Sequence, residues 1–354
     1  MSQNTFFQTR GAASHPSRQR GMTLVETMIA ITISLILLAG VLQIFIGNKQ
    51  TYRVQDAVAR LQESGRFAVR FLTKDLRMAG FMGCASINSM SNPPTNMADL
   101  DGDGVADTVA AFDGDGLQGW ESSQLPVALS DTQNLNEGTA VGQALPGTDI
   151  ISIKRASDTG VRLTGNMATV NANIQLLTAT VNGMFATDDI LMVTNCENSD
   201  IFAANNVSNG AGTTTIAHSN AVNIGNFLST SYGTDAEVMQ LENTAYFVGN
   251  NDKGIPSLFR MEMGNAGVLT TQELIEGVDD MQILYGEDTD GDRTADVYRD
   301  ATAVADMRQV VSVRIALTIR TIEDNIATVT DATYNDKRLR RTFTTTVTLR
   351  NRVI

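Results

Sequence analysis

The sequence predicts an α+β protein in which one long N-terminal helix packs on an antiparallel β-sheet globular domain with long loops. Three observations carry that prediction. An apolar run from Met22 to Ile46 passes directly into a stretch with apolar residues at three- to four-residue spacing. Near the C-terminus, Val311, Val313, Ile315, Leu317 and Ile319 alternate with Ser312, Arg314, Ala316, Thr318 and Arg320, the period of a strand with two unlike faces. No βαβ alternation occurs between these two regions, so a parallel, doubly wound sheet is not expected.

The helix comes first. Its apolar part carries one charge, Glu26, and 25 residues at about 1.5 Å each reach about 37 Å, enough to cross a hydrocarbon core of about 30 Å. Arg10, Arg18 and Arg20 precede it without any acid, which places the N-terminus in the cytoplasm and the rest of the chain outside. The run is longer than the apolar region of a secretory signal peptide, and it continues into a polar helix. There Val54, Val58, Leu61, Ala68, Phe71 and Leu72 form a stripe opposite Arg53, Asp56, Arg60, Glu63, Arg66 and Lys74. Gly65 interrupts the stripe at about 1 kcal/mol relative to alanine, and Gly80 is the expected stop. Beyond it, strands are expected over 149–154, 189–194, 238–248, 257–261, 281–285, 311–319 and 343–349. The Gly/Asn/Ser/Thr-rich stretches 85–148 and 195–236 are expected to form surface loops or small inserted sheets.

Composition limits the classes of function. Charged residues make up 18% of the 354, below the roughly 25% typical of soluble domains, a balance closer to secreted or surface β proteins. The formal charge of -13 becomes -16 without residues 1–21, so no direct nucleic-acid binding is expected. The basic cluster Lys337, Arg338, Arg340 and Arg341 is expected to be a solvated turn beside a strand. Two cysteines and one histidine after residue 21, His218, leave no basis for a zinc site or a Ser-His-Asp arrangement. No phosphate-binding glycine loop is present, and no enzyme activity is expected. In an oxidising compartment the two thiols could close a loop of about 110 residues, worth roughly 4–5 kcal/mol; in a cytosolic chain they would be buried and free.

Glu26 is the informative charge. A carboxylate at membrane depth costs on the order of 2.5–3.5 kcal/mol, so it calls for a partner. The segment Gly21, Met22, Thr23, Leu24, Val25, Glu26 resembles the type IV prepilin cleavage motif. The resemblance implies that prepilin peptidase cuts after Gly21 and methylates Met22, and that Glu26 meets a neighbouring subunit's terminal amine during assembly. The chain then divides into a cleaved cytoplasmic leader (1–21), a transmembrane half-helix (22–46), an amphipathic half-helix (47–80) and a periplasmic or extracellular β-rich domain (81–354).

Five further segments, 60–84, 188–202, 246–260, 273–292 and 338–352, resemble PilW-type minor pilins of type IV pilus assembly. That resemblance implies a disulfide between Cys84 and Cys196. It also implies partnership with other minor pilins and the major pilin, single-pass anchoring in inner-membrane lipid, and a role in initiating or capping the filament. A type II secretion pseudopilin and a calcium-dependent tip adhesin are the competing expectations.

Two acidic loops share one pattern, D-x-D-G-D-x-x-A-D. The first holds Asp99, Asp101, Asp103, Val105 and Asp107; the second holds Asp288, Asp290, Asp292, Thr294 and Asp296. Carboxylates at positions 1, 3, 5 and 9 with a backbone carbonyl at 7 match the donor pattern of an EF-hand-like calcium loop, so up to two calcium sites are expected. Both depart from that pattern at position 12, where Ala110 and Arg299 replace glutamate, and the second has Arg293 at the glycine position.

Overall fold

The computed structural model describes residues 21–83, 90, 94–112, 116–130, 133–181 and 183–353. The N-terminal helix runs without a break from Leu24 to Met78. The chain divides into two compact units between Val54 and Gln55, inside this helix.

In the first unit the helix is long and apolar enough to cross a membrane. Its large apolar side chains, including Leu24, Ile29, Leu37 and Phe45, are all exposed. Hydroxyls that would be costly in hydrocarbon are satisfied within the helix: Thr27 Oγ1 donates to the Leu24 carbonyl at 2.9 Å and Thr32 Oγ1 to the Met28 carbonyl at 2.7 Å.

In the second unit the helix becomes one wall of a core. Leu61, Ala68, Leu72 and Leu76 are buried against Tyr246, Met281, Val313, Leu317 and Val347. Gly65 belongs to this face. A Cβ there would lie 2.3 Å from the Phe343 ring, so the break in the apolar stripe is a point of close approach between helix and sheet. Phe71, expected on the buried stripe, is instead 38% exposed. Gly80 ends the helix region with a φ of 70°, and Asn351 Nδ2 donates to the Ala79 carbonyl at 3.1 Å, satisfying an end group from the far end of the chain.

The strands of the described residues fall into four sheets. A central strand, Glu237–Asn250, pairs antiparallel with Ile150–Ala156 and Val161–Arg162, and also with Ile190–Thr194 and Pro256–Met263. A second, four-stranded sheet has the order Val297–Arg299, Val278–Glu287, Val310–Arg320, Arg340–Thr348. All seven expected strands are present, and the alternation over 311–319 buries the odd-numbered residues as their pattern requires. The region 195–236 contains the hairpin Asn206–Asn209 with Thr213–Ala217, which joins Ile174–Leu177 as a small sheet.

Two local expectations are corrected. The strand Leu269–Glu276 was not legible, because Leu274 is an extra residue opposite Leu258/Phe259 of its partner, and this bulge shifts the register and breaks the alternation. The cluster at 337–341 is not a solvated turn. Arg340 is almost buried and binds Asp336 through Nη1 and Nη2 at 2.7 and 2.8 Å, and Asp279 through Nε at 2.7 Å, while Arg320 reaches Asp279 at 3.2 Å. Hydrogen bonds from Arg340 and then Arg338 hold the Asp336 carboxyl well below the usual range, against the opposing effect of burial.

Candidate functional site

Gly21, Met22 and Thr23 lead into the helix, and residues 1–20 lie outside the described residues. Thr23 is the cap: its Oγ1 accepts from the Glu26 amide at 3.3 Å, and its carbonyl accepts from the Thr27 amide at 3.1 Å. Thr23 and Glu26 have the spacing of a capping box, a signal present in the sequence and missed there. The Glu26 side chain therefore sits at the third helical position, where the helix dipole favours negative charge. It is exposed, and no cation lies within ion-pair distance of it among the described residues. An amine arriving at the helix start would find a carboxylate already positioned.

The acidic loops fold alike, bond for bond. Asp99 accepts from the amides of Gly102 and Gly104 at 2.8 and 3.1 Å; Asp288 accepts from Gly291 and Arg293 at 2.7 and 2.8 Å. Asp101 accepts from Asp103 N, as Asp290 does from Asp292 N, both at 3.1 Å. Asp103 holds the Val105 amide at 2.7 Å and Asp292 the Thr294 amide at 2.8 Å. Asp107 and Asp296 close the loops onto the amides of Leu100 and Thr289, both at 2.8 Å. Position 6 needs a left-handed backbone in both, with φ of 85° at Gly104 and 69° at Arg293.

These turns gather carboxylate oxygens. Asp99, Asp101 and Asp103 each place one within 4.8 Å of the others, and so do Asp288, Asp290 and Asp296. Asp107 and Asp292 stay outside these clusters, Asp292 being held by the Thr294 hydroxyl at 2.5 Å. Burial pushes the Asp288 carboxyl up, but amides led by Arg293 and Gly291 outweigh it and hold it below the usual range. The Thr289 amide and hydroxyl do the same for Asp296. Both groups are thus anionic at neutral pH. Neither position 12 adds a donor, since Ala110 is buried in the core and Arg299 pairs with Glu287 at 2.7 Å. A hard, oxygen-seeking cation fits this donor set; a soft metal does not.

Cys84 lies outside the described residues. Cys196 is not a free thiol, and it occupies a left-handed turn with φ of 72°, its amide donating to Thr194 Oγ1 at 3.3 Å. Gly83, the residue before Cys84, lies against the same strand end: a Cβ on it would come within 3.4 Å of the Thr194 methyl.

Two family models match the chain. The prokaryotic N-terminal methylation motif covers residues 16–42, and type IV pilus-assembly protein W covers residues 245–351. No curated protein and no solved structure matches it. The methylation motif, placed on an exposed apolar helix with an acid at its third position, defines a prepilin-type protein anchored by that helix. Within that class, the match of residues 245–351 to type IV pilus-assembly protein W supports a PilW-type minor pilin of type IV pilus assembly. Both matched families are structural pilus components. The matched region includes the second acidic loop and the four-stranded sheet; the resembling segments 60–84 and 188–202 fall outside it.

Proposed function

We propose that this minor pilin acts in the complex that initiates or caps the filament, and that Glu26 joins it to its neighbour. The observation that carries this reading is the capped helix start, with an exposed Glu26 carboxylate, unpartnered among the described residues, five residues beyond Gly21. In this reading prepilin peptidase cleaves after Gly21 on the cytoplasmic side and methylates Met22. The helix then waits in the inner membrane with its globular domain in the periplasm. During assembly Glu26 takes the terminal amine of another minor pilin or of the major pilin, and the ammonium offsets the cost of a carboxylate in lipid. Cys84 and Cys196 pair as a disulfide, a reading supported by the position of Gly83 beside Thr194. Each acidic loop takes one calcium ion, the first on Asp99, Asp101 and Asp103 with the Val105 carbonyl, the second on Asp288, Asp290 and Asp296 with the Thr294 carbonyl, a reading supported by the convergence of those carboxylates. The ion neutralises clustered carboxylates and stiffens the loop, and no catalytic step is assigned to it.

Mass spectrometry of the chain from membranes and from sheared pili tests the central claim. The expected N-terminus is N-methylated Met22, and Glu26→Ala should keep the cut while its incorporation into pili falls at least about tenfold. An intact Met1, or unchanged incorporation of the variant, would overturn it.

A further inference from the structure

The amphipathic half of the helix and the last strand enclose a groove of about 1100 Å³. Arg66, Arg70, Lys74 and Arg77 line it from successive turns of the helix, and Arg341 and Arg350 line it from the strand side. None of the six has an ion-pair partner among the described residues. The groove's one acid, Asp158, is already bound to Arg155 at 2.8 Å. Six uncompensated cations in one groove are unexpected in a chain of formal charge -13, whose remaining surface must be more acidic still. They do not build the helix either, because like charges at i, i+4 repel.

The groove's other wall is an open sheet edge. Arg340–Thr348 pairs with Val310–Arg320 along its whole length and ends the four-stranded sheet; no described strand covers its outer side. An uncovered edge presents alternate amides and carbonyls that an added strand can satisfy. Phe343 anchors this strand to the helix at Gly65, which keeps the edge and the basic helix face together.

We propose that this groove binds an acidic, extended segment of a neighbouring filament subunit, which adds as a fifth strand along Arg340–Thr348 while its carboxylates meet Arg66, Arg70, Lys74, Arg77, Arg341 and Arg350. The identity of the partner rests on the pilin reading; the chemistry of the groove does not. Charge complementarity selects an acidic occupant, and the backbone edge selects a polypeptide. A long polyanion would meet the same cations but would run on over acidic surface. Lipid headgroups are remote: Arg66 lies 20 residues beyond Ile46, about 30 Å along a helix.

The test uses the full chain in detergent and fluorescence anisotropy with a labelled (Glu-Val)5 peptide. Binding is expected for this peptide, with loss of at least about tenfold for (Lys-Val)5 and for the same acidic peptide N-methylated at alternate residues, which keeps its charge but cannot pair as a strand. The exposed double variant Arg70→Glu/Lys74→Glu and the strand variant Arg341→Glu should each weaken binding by a similar factor while keeping the parent melting temperature. Equal binding of the N-methylated peptide, equal binding of duplex DNA of matched charge, or unchanged affinity in folded variants would each overturn the proposal. Cleavage after Gly21 is read separately by mass spectrometry, so the pilin reading and the groove can fail independently.

Discussion

At the scale of single residues, Asp149 shows how position alone changes an ordinary carboxyl. It is 4% exposed, and its Oδ2 accepts from the Ile283 amide at 2.6 Å. Burial first, and then the neighbouring Glu121 carboxyl, push its pKa up to about 8, so near neutrality it keeps a proton. A carboxyl whose folded pKa exceeds its unfolded value stabilises the fold fully below the unfolded value, near 4. That contribution declines as pH rises towards 8. We therefore expect melting experiments to show stability falling by about 1 kcal/mol per pH unit across this window, with Asp149→Asn flattening the slope. An unchanged slope in the variant would show that Asp149 is not the titrating group. Nothing in the local sequence announces this, since Asp149 precedes a strand like many others and Glu121 is 28 positions away.

Elements behave differently according to how local their bonds are. The turns of the acidic loops were legible because the carboxylate-to-amide bonds that shape them span seven residues or fewer, but equal spacing did not decide which carboxylates converge: positions 1, 3 and 5 do so in the first loop and 1, 3 and 9 in the second. Calcium at millimolar concentration is expected to raise the melting temperature, and Asp101→Ala combined with Asp290→Ala to abolish the shift, as read by calorimetry. Magnesium should do less, because it tolerates only a tight octahedral shell. No shift in the parent chain would remove calcium from the reading. The basic cluster at 337–341 was misread for the opposite reason. Its meaning lies in Asp279, 61 residues before Arg340, and no pattern within the cluster points there. The strand Leu269–Glu276 was hidden by its own bulge at Leu274, which is defined only by the pairing with Leu258 and Phe259.

For the whole molecule, the helix serves two solvents in turn. Up to Tyr52 its large apolar side chains are exposed; from Leu61 onward it completes a core. A chain beginning at Gln55 is expected to fold cooperatively without detergent. One beginning at Gly80 removes Leu61, Leu72 and Leu76, roughly 5–9 kcal/mol of buried leucine and comparable to the whole stability of a domain, and should not fold. Equal melting temperatures for the two chains would show that the helix is dispensable to the core. The sequence by itself determined the apolar helix, the N-terminal methylation motif, the strand-rich domain and the turns of the acidic loops, because each follows from periodicity or from neighbours within a few residues. Only the tertiary structure decided that Gly65 is a contact point, that Arg340 is a buried tie, and that cations from the helix share a groove with an open sheet edge. The helix cations and Arg341 are more than 250 positions apart along the chain, and only folding brings them into one groove.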